Sequence, residues 1–372
     1  MYSLNSFEEF KSSYWLEEQL QVAARVEIFD DENDFEVKLL DQTDRFTLFR
    51  QVNGNSLKKS KGDDINSAQQ HDRTDGMVDY YFGGVDVSFA NSNHQKDSAA
   101  VAVYVIMEYS AVSNSGADQL RTIYQDHEFF DVNVPYIPSF LAFREIDPLQ
   151  RLIQRQMVEF PHLTPSCIIV DGNGILHPRR AGLACFVGVR TGLPTIGVGK
   201  TLYHEGELTR EMVFKGLDEA IQGAADYMIR YGANLVPDSF NNILFDEKLI
   251  RNSEDCSADS KPRIGEERVK DPMHALVRLQ ALIVPLGCKV VEGSSSTGAV
   301  HRTLACAIVA HGGRATKNKV SGSKQPIYVS VGHRMSLRRA AIICAKLSLY
   351  RIPEPLRQAD LIGRALQRSR NK

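Results

Sequence analysis

The chain has 372 residues, with 44 Lys and Arg against 46 Asp and Glu, a formal net charge of −2, 43% hydrophobic and 24% charged residues. That length fits one large or two ordinary domains, and the average globular composition excludes wholesale disorder and collagen-like or low-complexity architecture. The longest apolar run, around Ala99–Met107, is strand-sized and well short of the roughly 18 residues of a membrane span. The opening MYSLNSFEEF is acidic without an apolar stretch and is not read as a secretory signal.

Charge is unevenly spread. Residues 311–372 hold 14 Lys and Arg against only Glu354 and Asp360, a local net of +12, which leaves −14 for residues 1–310. A basic tail can gain affinity for phosphates by displacing condensed counterions, or it can be a solvated helical face. The six cysteines, Cys167, Cys185, Cys256, Cys288, Cys306 and Cys344, form no C-x-x-C pair. With no secretory signal, a reducing cytoplasmic or nuclear setting (nucleolar included) is expected.

In chain order, Ser6–Arg25 has the spacing of an amphipathic helix facing inward with Trp15, Leu16, Leu20 and Ala23/Ala24. Gly54–Gly76 is a polar loop. Tyr80–Phe89, Ala99–Met107 and Leu120–Phe130 are strand-like runs with short polar links, an antiparallel meander. A helix over Leu149–Val158, a strand at Cys167–Val170, a helix over Ala181–Arg190 and a strand at Thr195–Val198 then imply parallel pairing with helices on the faces. Meander followed by βαβ is the order of a ribonuclease-H-like mixed sheet. Glu205–Leu286 reads largely as an insertion and Gly312–Lys324 as a polar loop. Ile327–Val331 returns to the core, followed by a helix over Ser336–Leu349 and a basic helix from Glu354.

Two motifs are decoys. Gly199-Lys200-Thr201 lacks the glycine that a phosphate loop needs five residues earlier, where Pro194 stands. Gly172-Asn173-Gly174 follows a strand, but His177 takes the third glycine position of a dinucleotide fingerprint. The ten histidines show no zinc spacing.

Three acids carry more chemistry. Alternation along Tyr81–Phe89 sets Gly84, Asp86 and Ser88 on one face, and a carboxylate inside an apolar strand is costly unless paired or metal-bound. Asp171 closes the apolar run Cys-Ile-Ile-Val, and strand ends of this kind are where α/β sites form. Glu145 ends Phe-Leu-Ala-Phe-Arg before the next helix. Singly, each reads as a turn cap or a partner of a neighbour such as Arg144. Together they form a hard oxygen set for a divalent cation.

GGVDVSFA around residue 84, PYIPSFLAFRE (135–145), IVDGNGILHPRRAGLACFVGVRTGLPTIGVGK (169–200) and YVSVGHRMSL (328–337) together resemble the endonuclease V family in its eukaryotic form. RIPEPLRQAD (351–360) and WLEEQL (15–20) add to the resemblance. It implies hydrolysis of the second phosphodiester 3′ to inosine, leaving 3′-hydroxyl and 5′-phosphate ends. It makes Asp86, Glu145 and Asp171 ligands of Mg²⁺, with Mn²⁺ as a substitute. It sets His333 by the attacking water or a second metal, and Lys200 on the scissile phosphate.

The same resemblance makes Pro135, Tyr136, Ile137 and Pro138 a wedge, whose aromatic ring fills the gap left by an everted base. Ser139, Leu141, Gly172 and Gly182 become a largely main-chain base pocket. Ser139 departs from the family, which has glycine there; if that backbone needs positive φ, the serine is strained. The division implied is an N-terminal helix and leader (1–53), a polar loop (54–76) and a catalytic domain (77–372) with insertions at about 205–286 and 312–325. The expected partner of this monomer is single-stranded RNA bearing inosine, with deaminated DNA as a second substrate and no membrane. An inosine-binding reader without cleavage is the alternative.

Overall fold

The computed structural model describes residues 4–28, 80–90, 99–110, 119–203, 208–218, 281–291, 299–310 and 325–370. The polar loop at 54–76, the centre of the 205–286 segment and all but Gln325 of the 312–325 loop lie outside them, and so do Lys317, Lys319 and Lys324.

The helices are α1 (Leu4–Arg25), α2 (Ala142–Glu159), α3 (Leu183–Thr191), α4 (Leu337–Leu347) and α5 (Glu354–Arg370). The strands are β1 (Tyr80–Phe89), β2 (Ala99–Ser110), β3 (Gln119–Asp131), β4 (Cys167–Asp171), β5 (Thr195–Gly199), β6 (Ala281–Val291), β7 (Ala299–Ala310) and β8 (Ile327–His333). All eight strands join one mixed sheet in the order β3-β2-β1-β4-β5-β8-β7-β6. The meander β1-β2-β3 is antiparallel, β1-β4-β5 is parallel, and β8-β7-β6 is antiparallel again. No helix among the described residues is long and apolar enough to cross a membrane.

Both faces of the sheet are covered. On one, Trp15 of α1 stacks on Phe143 of α2 at 5.2 Å, and Phe143 meets Phe186 of α3 edge-on at 5.1 Å. On the other, α5 lies against β1 and β2, where Val101, Val103, Val105 and Ala359 are fully buried. Two glycines make that approach possible. A Cβ on Gly84 would lie 2.3 Å from the Pro355 backbone, and one on Gly363 would lie 2.5 Å from the Ser88 hydroxyl. Four cysteines, Cys167, Cys185, Cys306 and Cys344, are buried, behaving as small hydrophobes.

Three expectations need correction. Residues 281–286, assigned to the insertion, begin β6, and Leu208, Val213 and Leu217 from the same stretch reach the core. Pro285 and Gly287 had masked the strand pattern; the ladder absorbs them with a bulge between Leu286 and Gly287. The second helix starts at Ala142 and runs through Pro148, so Glu145 sits in a helical first turn. Finally, the inward side of α1 is Trp15, Gln19 and Val22, while Leu16 and Leu20 are exposed. A wholly buried glutamine at the centre of that stripe has a specific task.

Candidate active site

The parallel strands set the site. β1 and β4 are in register as far as Val85 opposite Val170. One step further the neighbours are Asp86 and Asp171, on the face that α5 covers. Asp86 is buried, receives a 3.4 Å hydrogen bond from the Ser88 hydroxyl, and hydrogen-bonds Asp171. Burial, then that bond and the Asp171 charge, push the Asp86 carboxyl far above the usual carboxylate range. Glu145 is pushed up to about 8, first by burial and then by the Asp171 charge.

An ammonium stands among these acids. The Lys200 ammonium, just past the end of β5, bonds Asp171 Oδ2 and stands 4.0 Å from Asp360 Oδ1. Its backbone carbonyl accepts from Arg351 Nη2 at 2.7 Å. Asp360, on α5, is a fourth acid of the crevice: its charge acts on both Asp86 and Lys200, and it pairs with Arg364 at 2.9 Å. Sequence reasoning missed it because an aspartate four residues before an arginine on a basic helix reads as a surface ion pair. Its signal was the close packing of α5 on β1, invisible in composition.

Beside Glu145 opens a cleft of about 440 Å³. Glu145 lines it together with Arg144, Leu141, Tyr136, Val132, Ala99, Ala90 and Phe89. Tyr136 is 66% exposed, as an aromatic wedge requires. The Arg144 guanidinium lies over the Phe89 ring at 4.8 Å and the Tyr136 ring at 5.7 Å.

Beside the cleft, Ser139 meets the loop after β4. Its φ is +66°, which costs a non-glycine residue about 1–2 kcal/mol. The carbonyl of Ser139 accepts from Gln19 Nε2 at 3.1 Å, His177 Nε2 at 3.0 Å and Arg179 Nη2 at 2.8 Å. Arg179 Nη2 also bonds the Ser139 hydroxyl at 2.7 Å. Burial, then the Arg179 charge, lower His177 to about 4, so it is neutral at pH 7. Nδ1 accepts from the Arg179 backbone N–H at 3.2 Å, which leaves the proton on Nε2 for the Ser139 carbonyl. Gln19 also bonds the Ala181 carbonyl at 2.8 Å, and Gly182 donates to the Gly174 carbonyl at 3.0 Å. Gly172 has a φ of +150°, and a Cβ on Gly182 would lie 2.1 Å from the Asn173 carbonyl oxygen. Thus the loop that holds Gly172 and Gly182 comes to the turn made by Pro135, Ile137, Pro138 and Ser139, where Phe140 donates to the Ile137 carbonyl at 3.0 Å.

His333 is not brought to this place. It closes β8 opposite Thr195, the first residue of β5 and three residues before Val198, the partner of Asp171; at about 3.3 Å per residue that is roughly 10 Å along the strand. Its Nδ1 accepts the Glu27 backbone N–H at 3.2 Å, and its Cβ would clash with any side chain at Gly188. β8 runs antiparallel to β5, so the end of β8 lies by the start of β5. The expected place beside the attacking water is corrected to a packing position at the far end of the sheet.

The donor chemistry suits a divalent cation. Asp86, Asp171, Glu145 and Asp360 are hard oxygen donors, and burial with the Asp171 charge drives two of them, Asp86 and Glu145, toward the neutral form. Among the described residues no three His, Cys, Asp or Glu side chains yet surround a common point; Lys200 holds Asp171 instead.

A mixed sheet of this order, with acids at the carboxyl ends of its central parallel strands, defines a protein of the ribonuclease-H-like class. Within that class the chain belongs to the Endonuclease V family, whose model matches residues 64–229 and 292–361. It is 32% identical to Endonuclease V of Mus musculus over 76% of this chain and 58% of that one. It is 30% identical to Endonuclease V of Homo sapiens over 76% and 70%. The match thus spans just over half of the mouse relative's length. Among solved structures, human ENDOV superposes with a TM-score of 0.55 at 25% identity, covering 97% of this chain and 99% of that one. Ciona intestinalis Endonuclease V shares the fold, with a TM-score of 0.52 at 21% identity over 96% and 98%. That protein was solved with a 24mer DNA containing an inosine followed by a ribo-adenosine.

Proposed function

We propose that the protein is a metal-dependent endonuclease that hydrolyses the second phosphodiester 3′ to inosine, in single-stranded RNA and, as a second substrate, in DNA. The observation that carries this is one cleft lined both by an exposed aromatic, Tyr136, and by Glu145 of the acid cluster. Family membership supports the reading. The Ciona relative's DNA makes an inosine-bearing strand the first substrate to try.

In this scheme Tyr136 fills the stack that an everted base leaves, and the main chain around Ser139, Leu141, Gly172 and Gly182 reads that base. Asp86, Asp171 and Glu145 would hold Mg²⁺ or Mn²⁺, which supplies Lewis-acid polarisation of a phosphoryl oxygen and an acidified water. Lys200, anchored by Asp171 and by Arg351 through its carbonyl, presents its ammonium to the phosphate. Asp360 orients Lys200 from the α5 side.

The test uses matched inosine and adenosine strands, as RNA and as DNA, with EDTA, Mg²⁺ or Mn²⁺. Cleavage of the inosine strand alone, dependent on the cation, is expected. Tight inosine binding without cleavage in any buffer would replace the nuclease with a reader, and equal cleavage of both strands would overturn base recognition.

A further inference from the structure

Ser139 holds a backbone conformation that L side chains rarely adopt, φ +66°, between the exposed Tyr136 and the cleft-lining Leu141. Such a conformation persists only where its surroundings over-determine it, and here they can be counted. Three donors converge on the carbonyl, and a fourth bond, from Arg179 Nη2, ends on the hydroxyl. A glycine at this position could adopt the same φ without cost but would have no hydroxyl to hold.

Arg179 is itself fixed. Its guanidinium lies 4.2 Å over the Phe140 ring, and its Nε bonds Gln19 Oε1. Gln19 is fully buried and bonds both the Ser139 carbonyl and the Ala181 carbonyl. One network therefore ties three segments: the first helix, the turn after the wedge, and the loop that carries Gly182. Two nitrogens of one planar guanidinium serve two segments, Nε to Gln19 and Nη2 to Ser139, while the plane stacks on the Phe140 ring; a lysine ammonium carries the charge without the fork or the stack.

We propose that Ser139 and Arg179 act as a positioning clamp that fixes the wall of the base pocket and thereby sets selectivity for the inserted base. The proposal rests on the reading of this cleft as an inosine site. The clamp touches neither the acids nor Lys200, so it acts on which base is accepted and not on the hydrolytic step. Its bonds go to the neutral Ser139 and Gln19, which makes it a geometric device and not a charge sensor.

The test compares parent, Ser139→Ala, Ser139→Gly, Arg179→Lys and Ser139→Ala/Arg179→Lys, measuring kcat and KM on inosine and adenosine strands, with Tm as a check on folding. Ser139→Ala keeps the strained backbone and loses the hydroxyl. Its inosine-to-adenosine ratio of kcat/KM should fall about tenfold, in the range of one hydrogen bond to a charged group, through KM for inosine and with kcat nearly unchanged. Arg179→Lys should cost at least as much, and the double variant should lose no more than Arg179→Lys alone, because the two residues act as one unit. Ser139→Gly, free of strain, tests the hydroxyl in a chain that folds without it, and should lose selectivity while keeping the parent Tm or exceeding it.

An unchanged ratio in both Ser139 variants, or losses that simply add, overturns the clamp. So does a fall in kcat with the ratio preserved, which is what a general structural role would give. If the parent itself does not distinguish inosine from adenosine, the reading of the site fails and the clamp fails with it; a discriminating parent with unaffected variants removes the clamp alone.

Discussion

Around Ser139 polar groups are matched by hydrogen-bond partners: a carbonyl with three donors, one of them the Arg179 guanidinium, a glutamine bonded at both ends, an imidazole held in one tautomer. Around Asp171, at the end of the strand that leads into the Arg179 loop, the opposite holds. Asp171, Asp86 and Asp360 crowd the Lys200 ammonium, and the carboxyls of Asp86 and Glu145 are displaced toward protonation. The first region is finished as it stands, and rigidity is its product. The second is electrostatically incomplete, and the incompleteness stores the affinity that a divalent cation would draw upon. In the proposed reading, recognition and chemistry are thus separated by construction, although the Asp171 strand runs straight into the Arg179 loop.

The strongest way to break that division is to remove an acid. Asp171→Asn should lower kcat at least about a thousandfold, since metal and phosphate chemistry both pass through it, while affinity for the inosine strand stays within about tenfold because phosphates and base supply most of the binding. A gel-shift titration beside a single-turnover assay checks both halves; more than a few per cent of parental activity would sink the site assignment.

Tyr136→Ala attacks the recognition side. Affinity should drop by about 1–3 kcal/mol, the worth of one base–aromatic stack, read as an increase in Kd with the saturated cleavage rate retained. Unchanged binding would reduce Tyr136 to packing.

Acid and base sharpen the contrast, because the two regions titrate with opposite signs. Folding holds Glu145 protonated up to about 8 against an ordinary 4.5. Its stabilising contribution is therefore present at low pH and lost as pH rises through that window. Folding holds His177 neutral down to about 4 against 6.5, so its contribution is present above 6.5 and lost as pH falls. In EDTA, Glu145→Gln should gain Tm relative to the parent as pH rises from 5 to 8, and His177→Gln should gain relative to it as pH falls from 6.5 to 4. Each should amount to about 2–4 °C or more, the shift of about 1 kcal/mol. Mg²⁺ should raise the parental Tm more at pH 8 than at pH 5. Parallel pH profiles for both variants would contradict the electrostatic division.

His333→Gln should have the smallest catalytic effect. It loses packing and the bond from Glu27 N–H, about 1 kcal/mol of stability, while cleavage stays within about twofold. A hundredfold loss would return His333 to the chemistry.

Much of the sheet was legible in the sequence, because alternation in Tyr80–Phe89 and short apolar runs such as Cys167–Val170 are periodic signals. The acids Asp86, Glu145 and Asp171 were legible as types out of place. What escaped depended on the third dimension. Asp360 belongs to the crevice only because glycines at 84 and 363 let α5 approach β1. Gln19 looks like a flaw in an apolar stripe until its partners are known. His333 sat in a suggestive motif, yet strand direction, which no local pattern reveals, puts it at the wrong end of β5.

The tight seat of α5 on β1 has a temporal consequence. Asp360 comes far later in the chain than β1, the strand that receives its helix. During synthesis Asp86, Asp171 and Lys200 are therefore all made before the acid that joins them from α5. The groove beside Gly84 must stay open until that helix arrives to fill it. The helix that seats on β1 thus also acts as the timer of the site.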